Sequence, residues 1–336
     1  MNWILAGDIG GTNTRLAYFQ AERPGELLGM RVYPSVGFGS LVEILARYAA
    51  DLAAGGEGEA LADIRPGRAG FGIAGPVDRE IVKLTNLPWA VDTRAVRAHL
   101  GLENVCFVND FAANCHAVPH LTAGHLHAIG GGSPQPGGSM AVLGAGTGLG
   151  QGFLVPRPGS GYLVVPSEGG HTDFAPRTPR EGRLLNHLAG QYGRASWERV
   201  LSGAGLHNLY RFLRDGEGMA ETPAIAGEMA GHDPAAVITA HALAGDDPLC
   251  RETLALFCAL YGAEAGNLAL KVLARGGVYL AGGIAGRILP LLEAGEFRAA
   301  FQAKGRYTAL MESIPTYLIT HPQPGLLGAA IAAGEM

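Results

Sequence analysis

The sequence predicts a mixed α/β chain of two domains, and three observations carry that prediction. Strand-like apolar runs alternate with segments of helical periodicity. Glycine-rich turns lie between apolar strands near both Gly7 and Gly144. A length of 336 residues with 48% apolar content is enough for two cores. In chain order, Asn2 to Ile9 and Thr14 to Gln20 read as strands around the turn GDIGGTN, and Gly29 to Ser35 as a third, so the chain opens as a meander. Ser40 to Ala54 carries Leu41, Ile44, Leu45, Tyr48 and Leu52 at helical spacing behind a serine cap, and Arg68 to Ile73 returns as a strand. A helix over Thr93 to Leu100 leads to an apolar strand, Asn104 to Val108, that ends in Asn109-Asp110-Phe111. Gly130 to Gly138 reads as a loop, after which Met140 to Val155 repeats the opening plan of strand, GAGTGLG turn and strand, as an internal duplication would. Ala195 to Gly203 reads as a short capped helix and Pro248 to Ala274 as a long apolar one. Gly277 to Ala281 is a strand running into Gly282-Gly283, which open a helix over Ile284 to Leu292, and Leu326 to Ala333 is the last helix. No Pro/Ser/Gly linker separates independent modules, so the domains are expected to share a cleft.

The composition excludes several classes of partner. A net charge of −5 without a Lys/Arg run argues against nucleic acid or an anionic membrane surface. The start MNWILAGD lacks a basic segment followed by an apolar one, and no stretch approaches the roughly 18 uninterrupted apolar residues of a membrane span, so a cytoplasmic location is expected. Cys106, Cys115, Cys250 and Cys258 form no C-x-x-C pair and suggest neither a disulfide framework nor a zinc site.

The chemistry-bearing stretches favour phosphate and polyol binding. Amides bared by a tight glycine turn form an anion site, and two such turns suit a nucleotide's phosphate chain. In the first turn Gly7, Gly10 and Gly11 stand with the donors Thr12 and Asn13; Arg15 offsets phosphate charge and Asp8 suits Mg²⁺, while a structural glycine turn is the competing reading. The second turn, GAGTGLG, also matches a dinucleotide spacing, but an apolar strand follows it rather than a helix, and no acid closes a strand about 20 residues on. A Walker motif and the protein-kinase H-R-D set are absent. Asp110 is placed either to take a proton from an attacking hydroxyl or to cap the following helix. In SEGGHTD, glycines beside Glu168 and His171 suit a polyhydroxylated ligand, and a metal site of Glu168, His171 and Asp173 is the competing reading. Glu198 is either a first-turn acid or a further polyol contact.

These stretches, GDIGGTNTRLA, NLPWAV, VNDFAA, LGAGTGLG, SEGGHTDFAP, WERVLSGAGLHNLY, YLAGGIAGRI and HPQPGLLGAA, resemble the bacterial glucokinases in order and across essentially the whole chain. The glycine turns are shared with the wider sugar kinase, actin and chaperone ATPase superfamily. The resemblance implies a ribonuclease-H-like (actin/hexokinase-type) fold with two α/β domains about a central cleft, residues 1–110 with about 315–336 making the smaller and 111–314 the larger. It implies ATP and Mg²⁺ as cofactors, glucose as substrate and a homodimer. It further implies Asp110 as the base for the sugar 6-hydroxyl, with Asn109, Glu168, His171 and Glu198 as hexose contacts. Asp8, Gly10, Gly11, Thr12 and Asn13 match the first phosphate turn, Gly146, Thr147 and Gly148 the second, and Gly282 and Gly283 the adenosine side. The related repressor and kinase (ROK) branch carries a C-x-C-G-x-x-G-C zinc motif after its histidine; this sequence has none, and no helix-turn-helix precedes the first turn, so zinc and promoter binding are not expected. A sugar-responsive binding protein and an actin-like ATPase are the rival classes. Mannose, fructose or an N-acetylhexosamine are rival substrates, and ADP or polyphosphate rival donors.

Overall fold

The computed structural model describes residues 2–335 apart from 55–63, 76, 78, 85–86 and 160. It separates into two compact units, Met1–Thr122 with His321–Met336, and Ala123–Thr320.

In the first unit, β1 (Trp3–Ile9), β2 (Asn13–Gln20) and β3 (Arg23–Pro34) form the expected meander, and β4 (Arg68–Ile73) and β7 (Val105–Asn109) extend it in the order β3-β2-β1-β4-β7. The β1–β4 and β4–β7 pairs are parallel. A small antiparallel pair, β5 (Ile81–Lys83) and β6 (Ala90–Asp92), stands apart from that sheet. Side chains of β1 and β2 alternate between the two faces of the sheet. Leu5, Ile9, Leu16 and Tyr18 join Leu41, Ile44, Leu45, Tyr48 and Leu52 of α1 (Leu41–Ala54) in one core. Ile4, Ala6, Ala17 and Phe19 meet the chain's last helix, Pro324–Gly334, in another. The sheet is thus covered on both faces, which explains why β1 is apolar almost throughout.

The helix after Asn109, α3 (Asp110–Ala117; α2 is Thr93–Leu100), belongs to this unit and not to the second domain, where the sequence boundary at 110 put it. Close packing on the last helix holds it there. A Cβ at Gly328 would overlap the Ala113 carbonyl oxygen, and one at Gly70 would overlap that of Ala329.

The second unit repeats the plan. β9 (Met140–Ala145), β10 (Leu149–Pro156), β11 (Tyr162–Ser167), β12 (Gly277–Ala281) and β13 (Thr316–Ile319) run β11-β10-β9-β12-β13, antiparallel through β9–β10–β11 and parallel through β9–β12–β13. This reproduces the strand order and directions of the first sheet, as duplication predicts. One strand was not legible: β8 (Leu126–Gly130) pairs antiparallel with β13 at the edge, so the loop begins only after Gly130.

The core helix Pro248–Val272 is long and apolar enough to cross a membrane by length and composition, but 78% of its most apolar window is buried inside the protein. Two other readings need correction. Ala195 to Gly203 holds only one short turn, Trp197–Arg199, and the capped helix begins at Gly203, where Ser202 accepts from the Gly205 amide. The helix expected over Ile284 to Leu292 is split into Gly283–Arg287 and Leu289–Glu293, because Pro290 cannot donate within a continuous helix.

Candidate active site

The first unit gathers its polar groups at the carboxyl ends of parallel strands, where open α/β sheets bind ligands. Ile73 pairs with both Ile9 and Asn109, so the ends of β1 and β7 lie level, two strand spacings or about 10 Å apart. Between β1 and β2 the Gly10 amide donates to the Asn13 carbonyl at 3.0 Å. Ser35 holds the turn from below: its amide donates to the Thr12 carbonyl at 2.9 Å and its hydroxyl to the Gly10 carbonyl at 2.8 Å. Three carbonyls therefore face the protein. Among the described residues the Gly11 and Thr12 amides meet no acceptor, which is the polarity an anion requires.

Gly7 does not belong to this turn. It lies within β1, and a Cβ there would stand 2.5 Å from the Phe71 ring, so its role is close packing. Ser35 is the turn residue that sequence reasoning missed; its signal was a hydroxyl directly after an apolar strand.

Asp8 is the penultimate residue of β1 and takes a hydrogen bond from one nitrogen of Arg15 at 3.3 Å, which ties the guanidinium expected to meet phosphate to this carboxylate. Burial raises the Asp8 carboxyl above its ordinary range, and Arg15 opposes the rise. Asn109 rather than Asp110 caps α3: its Oδ1 accepts from the Phe111 and Ala112 amides at 2.9 and 3.2 Å, and its Nδ2 donates to the Gly75 carbonyl at 3.3 Å. Asp110 is the first helical residue and also accepts from the Phe111 amide, at 2.9 Å.

In the second unit Gly146 donates to the Gly148 carbonyl at 2.9 Å, and Gly203 donates to the Gly146 carbonyl at 2.9 Å. Among the described residues the Thr147 and Gly148 amides meet no acceptor. Gly282, at φ +85°, stands so close that a Cβ would overlap the Ala145 carbonyl oxygen, so the Gly282-Gly283 bend adjoins the end of β9. Neither Gly146 nor Gly148 is left-handed. Space, not φ, selects Gly148, where a Cβ would come 2.5 Å from Glu198 Oε2; one at Gly146 meets nothing within 4 Å, so neither space nor φ within the protein demands glycine there. Gly148→Ala is therefore expected to displace Glu198 and lower the melting temperature, and Gly146→Ala to leave it unchanged. Thermal unfolding checks the pair, and equal melting temperatures would contradict it.

Glu198 joins the glycine turn to the acidic cluster. Its Oε2 accepts from the Leu149 amide at 3.0 Å, and its Oε1 lies 3.9 Å from His171 Nδ1. The other imidazole nitrogen lies 3.9 Å from Glu168 Oε2, so His171 stands between two carboxylates at distances too long for direct hydrogen bonds. The turn Gly169–His171 is fixed by His171 N–H to Glu168 O and Thr172 N–H to Gly169 O, both 3.0 Å. Arg194 donates to the His171 carbonyl at 2.5 Å and to Asp173 at 2.6 Å, and Trp197 N–H donates to Thr172 O at 3.0 Å. Asp173 is thereby engaged, and among the described residues no group of three or more His, Cys, Asp or Glu suits a metal ion. Gly169 and Gly170 are buried against β10; a Cβ at Gly169 would overlap Gln151 Oε1 and one at Gly170 the Leu149 carbonyl.

Duplicated sheets whose strand ends carry glycine turns with unpaired amides, one of them tied to an acidic cluster, make an α/β fold of the sugar-kinase class. The sequence model named Glucokinase matches residues 5–336. A glucokinase of Nostoc punctiforme is 44% identical over 100% of both chains. The crystal structure of glucokinase from an Antarctic psychrotroph superposes with a TM-score of 0.86 at 32% identity, covering 100% of both chains. A ROK family glucokinase from Streptomyces griseus, solved with glucose and AMPPNP, shares the fold at a TM-score of 0.65 and 21% identity, over 100% of each chain. The chain belongs to the glucokinase family.

Proposed function

We propose that the protein transfers the γ-phosphoryl group of ATP to the 6-hydroxyl of D-glucose, giving glucose 6-phosphate and ADP. One observation carries the reading most directly: Glu198 binds the backbone of the second glycine turn with one oxygen and lies beside His171 with the other, so polyol-type and phosphate-type groups share a residue. Full-length identity to glucokinases and a neighbour solved with glucose and AMPPNP support it.

In this reading Glu168, His171 and Glu198 hold sugar hydroxyls, with carboxylates accepting and the imidazole donating or accepting. Asp110 takes the 6-hydroxyl proton, and Asn109 orients it while offering its remaining N–H to the sugar. The unpaired amides at Gly11, Thr12, Thr147 and Gly148 receive phosphate oxygens, with Gly10 and Asn13 closing the first turn and Gly146 opening the second. Gly282 and Gly283 serve the adenosine side. Phosphoryl transfer demands chiefly positioning and charge neutralisation, which suits backbone donors without a nucleophilic triad. The donor set fits Mg²⁺ held mainly by phosphate oxygens and water, because Mg²⁺ commonly takes only one or two carboxylates and Asp8 supplies one. Bound there, the ion would neutralise charge on the transferring phosphoryl group. The protein acts in the cytoplasm as a homodimer.

The test is formation of phosphorylated sugar with ATP, ADP and polyphosphate as donors against a panel of hexoses, with ADP release followed where ATP is the donor. Release that depends on glucose supports the kinase. Sugar binding without release favours a binding protein, and release without sugar an ATPase.

A further inference from the structure

A chain of polar side chains, half-buried at Lys304 and Asn267 and fully buried at Glu264 and Gln151, runs beneath the acidic cluster and takes no part in the reaction proposed above. It begins at Lys304, whose ammonium donates to the Ala263 carbonyl at 2.9 Å and to Asn267 Oδ1 at 2.6 Å. An ammonium only donates, so it fixes the Asn267 amide with Nδ2 turned away. That Nδ2 donates to Glu264 Oε2 at 2.9 Å, and Glu264, fully buried in the core helix, accepts at Oε1 from Gln151 Nε2, also at 2.9 Å. Both Glu264 oxygens are thereby acceptors, and Gln151 must present its oxygen upward.

That oxygen reaches the sugar loop. Gln151 is 2% exposed, its Oε1 has no hydrogen-bond partner among the described residues, and a Cβ on Gly169 would overlap it. Gln151 also stands opposite Ser167 across β10–β11, and the Ser167 hydroxyl accepts from the Gly169 amide at 3.0 Å. Burial raises the Glu264 carboxyl, while Asn267, Gln151, Lys271 and Lys304 pull it down. Burial also pushes the Lys304 ammonium down to about 8, which leaves it a donor at neutral pH. A partnerless buried oxygen is costly, and such groups mark places where a structure is held for another purpose.

We propose that Gln151 is a positioning residue for the sugar loop: oriented by Glu264, Asn267 and Lys304, its amide oxygen sets the height of Gly169 and so the placement of Glu168 and His171. The inference rests on the reading of those two residues as sugar contacts. It makes the order of donors along the chain, and not merely its packing, a determinant of glucose affinity.

Three variants test it. Gln151→Met removes the amide at similar volume. Glu264→Gln sets two donors face to face, at Asn267 or at Gln151. Adding Asn267→Asp to Glu264→Gln restores the donor order and the net charge, since the new amide then donates to the new carboxylate, which still accepts from Lys304. Both single variants are expected to raise the KM for glucose by about tenfold to a hundredfold, with the KM for ATP at the wild-type value, and the double variant to recover it. Amide exchange at residues 168–172 in the free protein is expected to quicken in the single variants and slow again in the double. A folded Gln151→Met protein with wild-type glucose KM and wild-type exchange would overturn the proposal, as would a double variant no better than Glu264→Gln. If Glu264→Gln fails to fold, a folded double variant with wild-type glucose KM supports the proposal and a defective one overturns it. Wild-type protein that releases no ADP with glucose refutes the kinase reading alone; the exchange measurement then decides the positioning by itself.

Discussion

Asp110→Asn is expected to lower glucose-dependent turnover by about 10²- to 10⁴-fold, the contribution of a positioned general base. Asparagine keeps the volume and an oxygen able to accept from the Phe111 amide, as Asp110 Oδ1 does at 2.9 Å, but it cannot take a proton. Helix α3 remains capped, because Asn109 supplies the cap, and losing a first-turn carboxylate costs only about 0.3–1 kcal/mol. Glucose titrated calorimetrically into the variant should therefore bind within a few-fold of wild type while coupled turnover collapses, a loss in kcat rather than in affinity. Near wild-type turnover would remove Asp110 from the role of base.

The second large effect is structural. Gly328→Ala forces a methyl group into the Ala113 carbonyl, and backbone on both sides leaves no flexible side chain to yield. Overpacking of this kind costs about 1–3 kcal/mol, which for a chain of this length lowers the melting temperature by about 1–2 °C per kcal/mol. Because α3 begins at Asp110, the proposed base, the forced shift is also expected to lower kcat. Gly227→Ala is the control: it lies in the helix Pro223–Gly231 with nothing within 4 Å of a Cβ, so alanine there should stabilise by about 0.4–1 kcal/mol. Thermal unfolding of the two variants checks the contrast. Equal melting temperatures would show that the helices do not touch as described.

What was legible in the sequence followed local rules. Short apolar runs bounded by glycine or polar turns located β1, β2, β4 and β12, and the repeat of strand, glycine turn and strand announced the two matching sheets. Local sequence offered Glu168, His171 and the distant Glu198 as separate fragments, and the family resemblance grouped them; the junction of Glu198 with the Gly148 bend was visible only in three dimensions. What misled was the assumption that a glycine near a ligand motif serves the ligand. Gly7, Gly169 and Gly170 instead let the protein approach itself, against Phe71, Gln151 and Leu149. Such contacts depend on residues far away in sequence, which no local pattern encodes. The same holds for Ser35, which fixes the first turn from beyond β3, and for Gln151, whose partner Glu264 lies on a different element. Asn109 shows a subtler case: the Asn-Asp pair was recognised at a strand end, but which of the two caps the helix depends on the backbone angle there, ψ 146° at Asn109.

Phosphorus NMR of the products formed from ATP and D-glucose tests the central claim most directly. The account predicts ADP and glucose 6-phosphate in equal amounts, with no phosphate released while sugar is absent. ADP accompanied by free inorganic phosphate, or a phosphate ester on any hydroxyl other than the sixth, would contradict it.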